Sequence, residues 1–232
     1  DIVGLADGSV LVSYPAVDEA ARRQLAKVET WDATTFERAA GFPTLLTPES
    51  LYYPSATAER RRGIFTGQSW PRIAADPLGE VYLTQSDEYQ ILAFGADGAP
   101  RWALRVAMPQ PPLYARDVER TMESIHESFP EATERSVAWP SASSAIDTMW
   151  VDGHGHLFVL PYFPAELEAT ERDVDVYSAE GERLFAGRMV LPAGAWTQQF
   201  SMRRDHMFFL DQDPDSGEWQ VVRYRVTEPF AP

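Results

Sequence analysis

The sequence predicts an all-β fold built from four similar antiparallel modules. Each module opens with a turn followed by an apolar strand, at 7–12, 76–83, 152–159 and 205–210. Each continues with a strand in which an apolar β-former stands three residues before an aromatic residue, at 28–31, 91–94, 174–177 and 221–224. A repeated unit of antiparallel hairpins is typical of propeller blades, so we predict a β-propeller with four visible blades.

The repeat also sets the expected boundaries, with 1–232 as one propeller domain. The blades are expected at about 1–42, 68–108, 146–191 and 195–226, with a helical insertion at about 109–145 between the second and third. The predicted strands are 2–5, 10–13, 27–31, 36–39, then 71–75, 80–84, 89–94, 101–106, then 146–151, 156–160, 173–177, 183–189, and finally 196–202, 206–210, 219–226. The last module therefore lacks its outer strand.

Strand alternation places the insertions on one face. Turns between first and second strands, and between third and fourth, belong at one end of each blade, and they are short and rich in Asp and Gly. The long segments all belong at the other end, at 14–26, 42–67, 108–145, 162–172 and 211–218. We therefore expect a plain face and an elaborated face, with recognition on the latter.

The longest insertion contains a predicted helix from Tyr114 to Phe129. Val118, Met122, Ile125 and Phe129 follow one another at spacings of four, three and four, and Pro130 ends the pattern. The stripe is expected to pack on the tops of the blades. The alternative is that Val118, Met122 and Ile125 bind a partner protein.

Composition limits the function classes. The chain has 232 residues, and its formal net charge of −15 disfavours a nucleic-acid partner. The absence of cysteine excludes disulfides, thiolate metal sites and thiol chemistry. No apolar run reaches the roughly 18 residues that cross a bilayer.

Two groups of residues are candidate metal ligands. Asp211, Asp213 and Asp215 alternate in a loop of the elaborated face and supply the hard oxygen ligands that calcium prefers, although a solvated acidic turn also explains them. His154 and His156 are two residues apart, as in a metal site. The repeat aligns them with turn positions of other modules, so we interpret them as structural.

One basic cluster stands out in this acidic chain. Arg60, Arg61 and Arg62 lie in an insertion of the elaborated face, where they are expected either to be solvated or to contact an acidic partner or phosphate groups. Glu88, Tyr89 and Asp173 are acid or base candidates without a nucleophile to pair with. The sequence contains no nucleophile elbow, phosphate loop or metalloprotease helix.

Two stretches resemble the six-bladed β-propeller family related to NHL-repeat proteins, in particular a group of exported bacterial propellers. The first is 71–106, with 86–91 leading into Asp97, Gly98 and Arg101; the second is 112–192, with a helical insertion before 150–155 and a strand that ends at Glu180 and Gly181. The resemblance implies the C-terminal two thirds of a six-bladed ring, whose N-terminal part would supply two blades and the closing strand. It also implies a periplasmic or extracellular location.

The family includes lyases, lactonases and sugar-binding forms, so the resemblance does not select an activity. We predict a non-catalytic scaffold for protein interaction, for example an extrinsic subunit of a membrane-bound respiratory or photosynthetic complex, with no cofactor other than the candidate calcium. A metal-dependent lactonase or lyase, and a glycan-binding or peptide-binding propeller, are the alternatives. The complete absence of asparagine disfavours the metal enzyme, since related propellers often use that residue at the central ion.

Overall fold

Four antiparallel sheets and one α-helix make up most of the structure. The computed structural model describes residues 2–5, 7–18, 23–46, 51–54, 61–63, 71–76, 78–85, 88–162, 171–190, 200–203, 206–213 and 216–225. The sheets follow one another along the chain, and each is a meander of consecutive strands. The described strands do not close a ring, and the six-bladed ring stays a prediction.

The first sheet is the largest. It contains β1 (Ile2–Gly4), β2 (Ser9–Asp18), β3 (Arg23–Asp32) and β4 (Arg38–Gly41) in that order, and β5 (Leu45–Leu46) pairs with β3. The prediction ended the second strand at Ser13 and began the third at Lys27, which was wrong. β2 and β3 stay paired as far as Asp18 and Arg23 because Leu25 and Ala26 gain a second partner in β5.

The other three sheets agree closely with the predicted strands. The second contains β8 (Ile73–Ala75), β9 (Val81–Gln85), β10 (Gln90–Phe94) and β11 (Pro100–Arg105); the third contains β12 (Ile146–Val151), β13 (Leu157–Pro161), β14 (Glu171–Tyr177) and β15 (Arg183–Val190); the fourth contains β16 (Phe200–Arg203), β17 (His206–Gln212) and β18 (Trp219–Arg225). The fourth sheet has three described strands where the others have at least four. Whether the four sheets form one propeller domain is still a prediction.

The elements outside the sheets lie in the long connections. A separate hairpin pairs β6 (Leu51–Tyr53) with β7 (Arg61–Gly63) inside 42–67, one of the long segments expected on the elaborated face. The helix α1 (Ala115–Ser128) is followed by a 3-10 turn at Glu134–Ser136, and α1 confirms the helix predicted between Tyr114 and Phe129. No helix in the described part of the chain combines the length and apolarity needed to cross a membrane.

Tight turns with aspartate and glycine join the first and second strands of the sheets. In the second sheet, Asp76 Oδ1 accepts a hydrogen bond from the Glu80 N–H (2.8 Å), and Gly79 adopts a φ of 96°. In the third, Asp152 Oδ1 accepts from the N–H groups of His154 and His156 (2.8 and 2.9 Å). Because the strands are antiparallel, these turns share one end of the sheets, which we call the turn face. The connection that carries α1 leaves from the opposite end, the helix face.

The core lies between successive sheets. Leu11 and Val28 of the first sheet pack with Leu83 of the second, whereas Ile91 of the second packs with Val159 of the third. Trp150, Phe158 and Val176 of the third sheet pack with Met207 of the fourth. At the outer edge, Trp102 Nε1 donates to the Ala179 carbonyl oxygen (2.6 Å), and the Trp102 ring covers Gly181. The sheets therefore stack face against face in the order of the sequence, as blades do.

The core between the second and third sheets should set the stability of the fold. We expect Ile91→Ala to lower the free energy of unfolding by about 2–5 kcal/mol, because Ile91 is fully buried and its removal leaves a cavity. Urea denaturation measures this change. Leu78→Ala, at an apolar residue that is 87% exposed on the turn face, is the control and should change stability by less than about 0.5 kcal/mol. Equal effects of the two substitutions would contradict the packing described here.

Candidate functional site

The innermost strands of the second and third sheets lie side by side and carry a polar contact between them. Just before β8, Arg72 exchanges hydrogen bonds with Thr84: its N–H donates to Thr84 Oγ1 (2.9 Å), and its carbonyl accepts from the Thr84 N–H (3.1 Å). The Arg72 side chain reaches the neighbouring sheet, where Nε donates to the Asp147 carbonyl oxygen (2.7 Å). The main chain of Arg72 is thereby bound to its own sheet, and its guanidinium group is bound to β12 of the next sheet.

A buried ion pair continues the network within the third sheet. Arg172, whose side chain is 3% exposed, donates from Nη2 to Asp147 Oδ2 (3.1 Å) and to the Pro161 carbonyl oxygen (3.0 Å). Removing Asp147, whose side chain is 25% exposed, would leave the buried Arg172 guanidinium without its counter-charge, a loss that typically costs about 3–5 kcal/mol. The pair therefore fixes the start of β14 against β12 and the end of β13.

The helix joins the same network through Asp117 in its first turn. Asp117 is 2% exposed and accepts a hydrogen bond from the Tyr162 hydroxyl (2.9 Å) at Oδ2. The ring of Tyr114, the residue that precedes α1, lies 6.0 Å from the Tyr162 ring. We call Arg72, Asp117, Asp147, Tyr162 and Arg172 the inner-strand cluster.

Burial dominates the electrostatics of the cluster. It raises the pKa of the Asp117 carboxyl, while the Tyr162 hydrogen bond and the nearby Arg120 and Arg116 guanidinium groups act in the opposite direction. Burial also raises the pKa of Tyr162 above its usual range, and the Asp117 carboxylate adds to that shift, so the phenol keeps its proton and remains the donor.

The cluster is suited to holding the helix in place rather than to turning over a substrate. It contains two carboxyl groups and two guanidinium groups, so its formal charges balance. Asp117 and Arg172 are almost completely covered; Asp117 accepts a hydrogen bond from Tyr162, and Arg172 Nη2 donates to Asp147 and to the Pro161 carbonyl oxygen. Its effect is to anchor α1 to the third sheet.

A cavity of about 780 Å³ opens beside the cluster on the helix face. Its wall consists of Glu88, Tyr89, the connection 105–111 and Ala145. Ala145 links the cavity to the cluster, since its carbonyl accepts from the Tyr162 N–H (3.0 Å). At the rim, Arg105 Nη2 and Glu88 Oε1 form an exposed ion pair at 2.6 Å. The volume is in the range of small-molecule sites, and the lining mixes apolar surface with one ion pair.

The structure places both acid or base candidates of the second sheet at this cavity. The Tyr89 hydroxyl, however, donates to Asp175 Oδ2 (2.6 Å) and accepts from the Tyr177 hydroxyl (3.3 Å), so it is committed to the interface between the second and third sheets. Burial is the main cause that raises the pKa of Tyr89 above its usual range. Asp173, the third candidate, lies 3.6 Å from the Arg188 guanidinium on the outer part of the third sheet.

A second cavity of about 630 Å³ lies on the turn face between the second and third sheets. Glu80, Asp97, Arg101 and His154 are among the residues that line it. His156 is bound to its own turn, with Nδ1 3.0 Å from Asp152 Oδ2, and the two histidine rings are 6.0 Å apart. This geometry supports the structural interpretation of the two histidines.

The apolar stripe of α1 is covered within the chain. Met122, Ile125 and Phe129 are buried in a cluster with Leu51 of β6, and Val118 packs against the same cluster, half-buried. The stripe thus joins the helix to the β6–β7 hairpin. A role for Val118, Met122 and Ile125 in binding another protein stays a prediction, and it would require the helix to leave this cluster.

Of the predicted basic cluster, the structure describes one side chain. The Arg61 guanidinium lies over the Phe129 ring, 5.8 Å from its centroid, and the residue is exposed. Arg62 is described in its backbone, as part of β7, and Arg60 lies outside the described residues. The basic cluster thus begins beside the C-terminal end of α1, and its role as a partner site is untested.

The predicted calcium loop is also described in part. Asp213 Oδ1 accepts from the Ser216 N–H (2.8 Å), the Asp213 carbonyl accepts from the Gly217 N–H (2.8 Å), and Gly217 has a φ of 71°. Asp211 is described in its backbone at the end of β17, and Asp215 lies outside the described residues. Within the described ranges, no three His, Asp or Glu side chains converge on a point where they could hold a metal ion. Calcium binding by this loop stays a prediction.

The inner-strand cluster was not predicted from the sequence. Its five members come from five separate segments of the chain, and only the fold brings them together. One signal was present: Asp117, Thr121 and Ile125 follow each other at four-residue spacing, and all three are buried. A carboxylate on the buried face of an amphipathic helix indicates a partner in the core.

Comparisons with known proteins add little to these observations. No protein-family model matches the chain, and no curated protein matches it. Among solved structures, the chain is similar to virginiamycin B lyase from Staphylococcus aureus (TM-score 0.34, 10% identity, 99% of this chain and 70% of that one). It is also similar to the calcium-binding protein regucalcin from Agrobacterium tumefaciens (0.31, 13%, 90% and 66%) and to a protein of unknown function from Bacteroides caccae (0.31, 11%, 92% and 72%).

Regucalcin and virginiamycin B lyase have β-propeller-type folds. At these TM-scores the similarity supports no inference about the activity of this chain. The strand order and the core contacts define the four packed antiparallel sheets.

The buried carboxyl group of Asp117 should make stability depend on pH. Because its pKa is raised in the folded protein, the protonated form adds stability that is complete below the ordinary value of 3.8 and is lost as the pH rises through the folded pKa. We expect Asp117→Asn, which keeps the acceptor oxygen, to raise the melting temperature at pH 7 by about 2–4 °C for each kcal/mol of desolvation removed. The gain should shrink steadily as the pH falls towards 4.

Thermal unfolding between pH 4 and pH 8 measures this dependence. Glu119→Gln is the matched control, because it removes the same charge from the exposed side of α1 and should show no comparable trend with pH. A loss of stability in Asp117→Asn at pH 7 would contradict the role of burial given above.

Proposed function

We propose that this protein is a non-catalytic scaffold that binds another protein through its helix face. An extrinsic subunit of a membrane-bound complex outside the cytoplasm, such as a respiratory or photosynthetic assembly, is the form of this role that we favour. The observation that carries the proposal is the position of α1. Its inner side is fixed to the rest of the protein, and its outer side carries an acidic row of exposed glutamates, Glu119, Glu123 and Glu127.

Two independent contacts fix the helix. Its N-terminal turn is anchored by the hydrogen bond between Asp117 and Tyr162 (2.9 Å), and its apolar stripe is buried against the β6–β7 hairpin. A surface held in this way needs little ordering when a partner binds, which reduces the entropic cost of association.

The outward side of the helix carries Glu119, Glu123 and Glu127, which are all exposed. None of the three takes part in an ion pair with another described residue. Like charges four residues apart destabilise a helix by about 0.2–0.5 kcal/mol per pair. A basic partner surface would relieve this repulsion among the three glutamates.

The overall charge favours the same class of partner. With a formal net charge of −15, the protein attracts a basic surface over distances of about a Debye length, and this attraction weakens as salt is added. We therefore propose a partner that presents a basic patch to the helix face.

One observation favours a second candidate, the recognition of a glycan or peptide. The cavity of about 780 Å³ is on the same face, and its apolar wall with an ion pair at the rim suits an extended ligand with a polar end. In that case a short ligand alone would bind, without any need for the acidic row. The metal-dependent lactonase or lyase remains the catalytic alternative.

Charge reversal of the helix row tests the proposal. We expect the triple variant Glu119→Lys, Glu123→Lys, Glu127→Lys to lose at least about tenfold in affinity for the partner, equivalent to about 1.4 kcal/mol. The measurement is co-purification of tagged protein expressed in its native source, quantified at several salt concentrations.

The matched control is the triple variant Glu37→Lys, Glu180→Lys, Glu182→Lys. It makes the same change of charge at three exposed residues of the β3–β4 and β14–β15 turns, on the turn face. The control should retain the partner at low salt. Equal losses in the two variants, or retention in both, would rule out the helix face as the binding surface.

A further inference from the structure

The cavity of about 630 Å³ on the turn face contains more acidic than basic side chains. Asp76, Glu80 and Asp97 line it, together with the basic residues Arg101 and His154. Among the residues that the structure describes, neither Arg101 nor His154 forms an ion pair with one of these carboxylates. The wall of the cavity therefore carries an excess of negative formal charge.

Asp76 is the most deeply buried carboxylate of this wall, at 5% exposure. Its Oδ1 atom accepts from the Glu80 N–H (2.8 Å), and its main-chain N–H and carbonyl are bound to the Glu80 carbonyl and the Gly79 N–H (2.9 and 3.1 Å). Within the described part of the chain, Oδ2 has no hydrogen-bond partner. Because the other polar atoms of Asp76 are engaged inside the turn, Oδ2 is the one that is left to face the cavity. A carboxylate oxygen in such a place is costly to leave without a donor.

The corresponding turns of the first and third sheets place a donor side chain beside the aspartate. Asp7 accepts from the Ser9 hydroxyl (2.6 Å), and Asp152 Oδ2 lies 3.0 Å from His156 Nδ1. In the second sheet the aligned position is occupied by Glu80. This turn therefore combines two carboxylates where the neighbouring turns combine a carboxylate with a donor.

Glu80 also has no cationic partner in the described structure. It is half-buried, and its Oε2 atom accepts from the Tyr82 hydroxyl (2.8 Å), a neutral donor. Burial and this hydrogen bond raise the pKa of Tyr82 above its usual range, and the nearby Asp76 carboxylate adds to the shift. Both carboxylates thus act on the same phenol, so their negative charges lie close to each other.

The third carboxylate of the cavity has a basic neighbour. Asp97 and Arg101 meet over Gly95, where a Cβ atom would lie 2.8 Å from Asp97 Oδ1 and 3.1 Å from Arg101 Nε. The charge of Arg101 therefore offsets that of Asp97 at the turn between β10 and β11. Asp76 and Glu80, in the turn between β8 and β9, are left without compensation.

Apolar side chains lie beside these two carboxylates. Leu78 is 87% exposed and lines the cavity, and Ala96 and Ala179 add to its apolar wall. We propose that this cavity binds a primary alkylammonium group, which donates to Asp76 Oδ2 and Glu80 while its alkyl chain packs against Leu78. An ammonium group carries three N–H donors on a compact centre, so it can serve both carboxylates at once.

The choice of an organic cation over a metal ion follows from the geometry. No three His, Asp or Glu side chains in the described ranges converge on a point that could hold a metal ion. The volume of about 630 Å³ is also in the range of sites for small molecules. A free amine and the lysine side chain of a peptide share the required chemistry, and the experiment distinguishes these two sources.

Amide NMR spectra of isotopically labelled protein, recorded at low salt, test the proposal by titration with n-pentylamine and with Nα-acetyl-lysine N-methylamide. Both probes should bind saturably, with dissociation constants on the order of millimolar for ligands of so few atoms. They should shift the amide signals of Glu80, Gly95 and Gly155, which line the cavity. Tighter binding of the lysine derivative would support the site with a peptide as the source, and equal or tighter binding of n-pentylamine would support it with a free amine.

Three substitutions test the roles of the two carboxylates. Asp76→Asn keeps the acceptor for the turn and should weaken binding at least about tenfold, because a hydrogen bond to a charged group is lost. Glu80→His reproduces the pair between His156 and Asp152, and it should abolish binding because the imidazole then occupies Asp76 Oδ2. Asp7→Asn, the same change in the corresponding turn of the first sheet, is the matched control and should bind as the wild type does.

Thermal unfolding establishes that each variant is folded before titration, and Glu80→His carries the test alone if Asp76→Asn does not fold. Neither amine shifting these signals, or n-pentanol shifting them at the same concentrations, would overturn the proposal. Wild-type affinity in Glu80→His would overturn it as well. The cavity is on the turn face, so this result is independent of the proposed binding of a basic partner at the helix face.

Discussion

Antiparallel pairing of neighbouring strands is the constraint on which the rest of the structure depends. Within the second and third sheets, for example, the chain reverses at every connection, so the first-to-second and third-to-fourth turns lie at one end, and the connection that carries α1 leaves from the other end. The turn face needs only aspartate side chains and glycine backbones to satisfy its reversals. The long connections on the helix face contain α1 and the β6–β7 hairpin, which share a small apolar core.

This small core has to be joined to the sheets, and the inner-strand cluster provides the joint. Arg72 and Arg172 bring their guanidinium groups to Asp147, and Tyr162 donates to Asp117 of the helix. Buried polar groups of this kind are tolerated because each finds a partner, and they define one arrangement of helix and sheets where apolar contacts alone would permit several. The ion pairs between arginine and carboxylate side chains also leave the charge of the chain unevenly distributed. Basic groups are drawn into pairs with nearby carboxylates, as in Arg172 with Asp147 and Arg183 with Asp175, while glutamates of α1 face outward.

Much of the fold was predictable because strands and helices follow local patterns. The alternation and turn residues of the second and third modules located β8 to β15 within about two residues, and the spacing of Met122, Ile125 and Phe129 located α1. The extension of β2 and β3 was missed because its stability depends on β5, a pairing across some twenty residues that no local pattern contains. The inner-strand cluster was missed for the same reason, since Arg72, Asp147 and Arg172 become neighbours only through the stacking of two sheets.

We propose that this protein acts by binding another protein rather than by catalysis at a metal ion. The most direct test is the native mass of the particle that contains it, purified from its source, combined with elemental analysis of the same sample. We predict that the chain is recovered in a larger hetero-complex without a stoichiometric metal ion of its own. Recovery free of any other protein with one tightly bound metal ion per chain, together with turnover of a lactone or ester, would contradict the account.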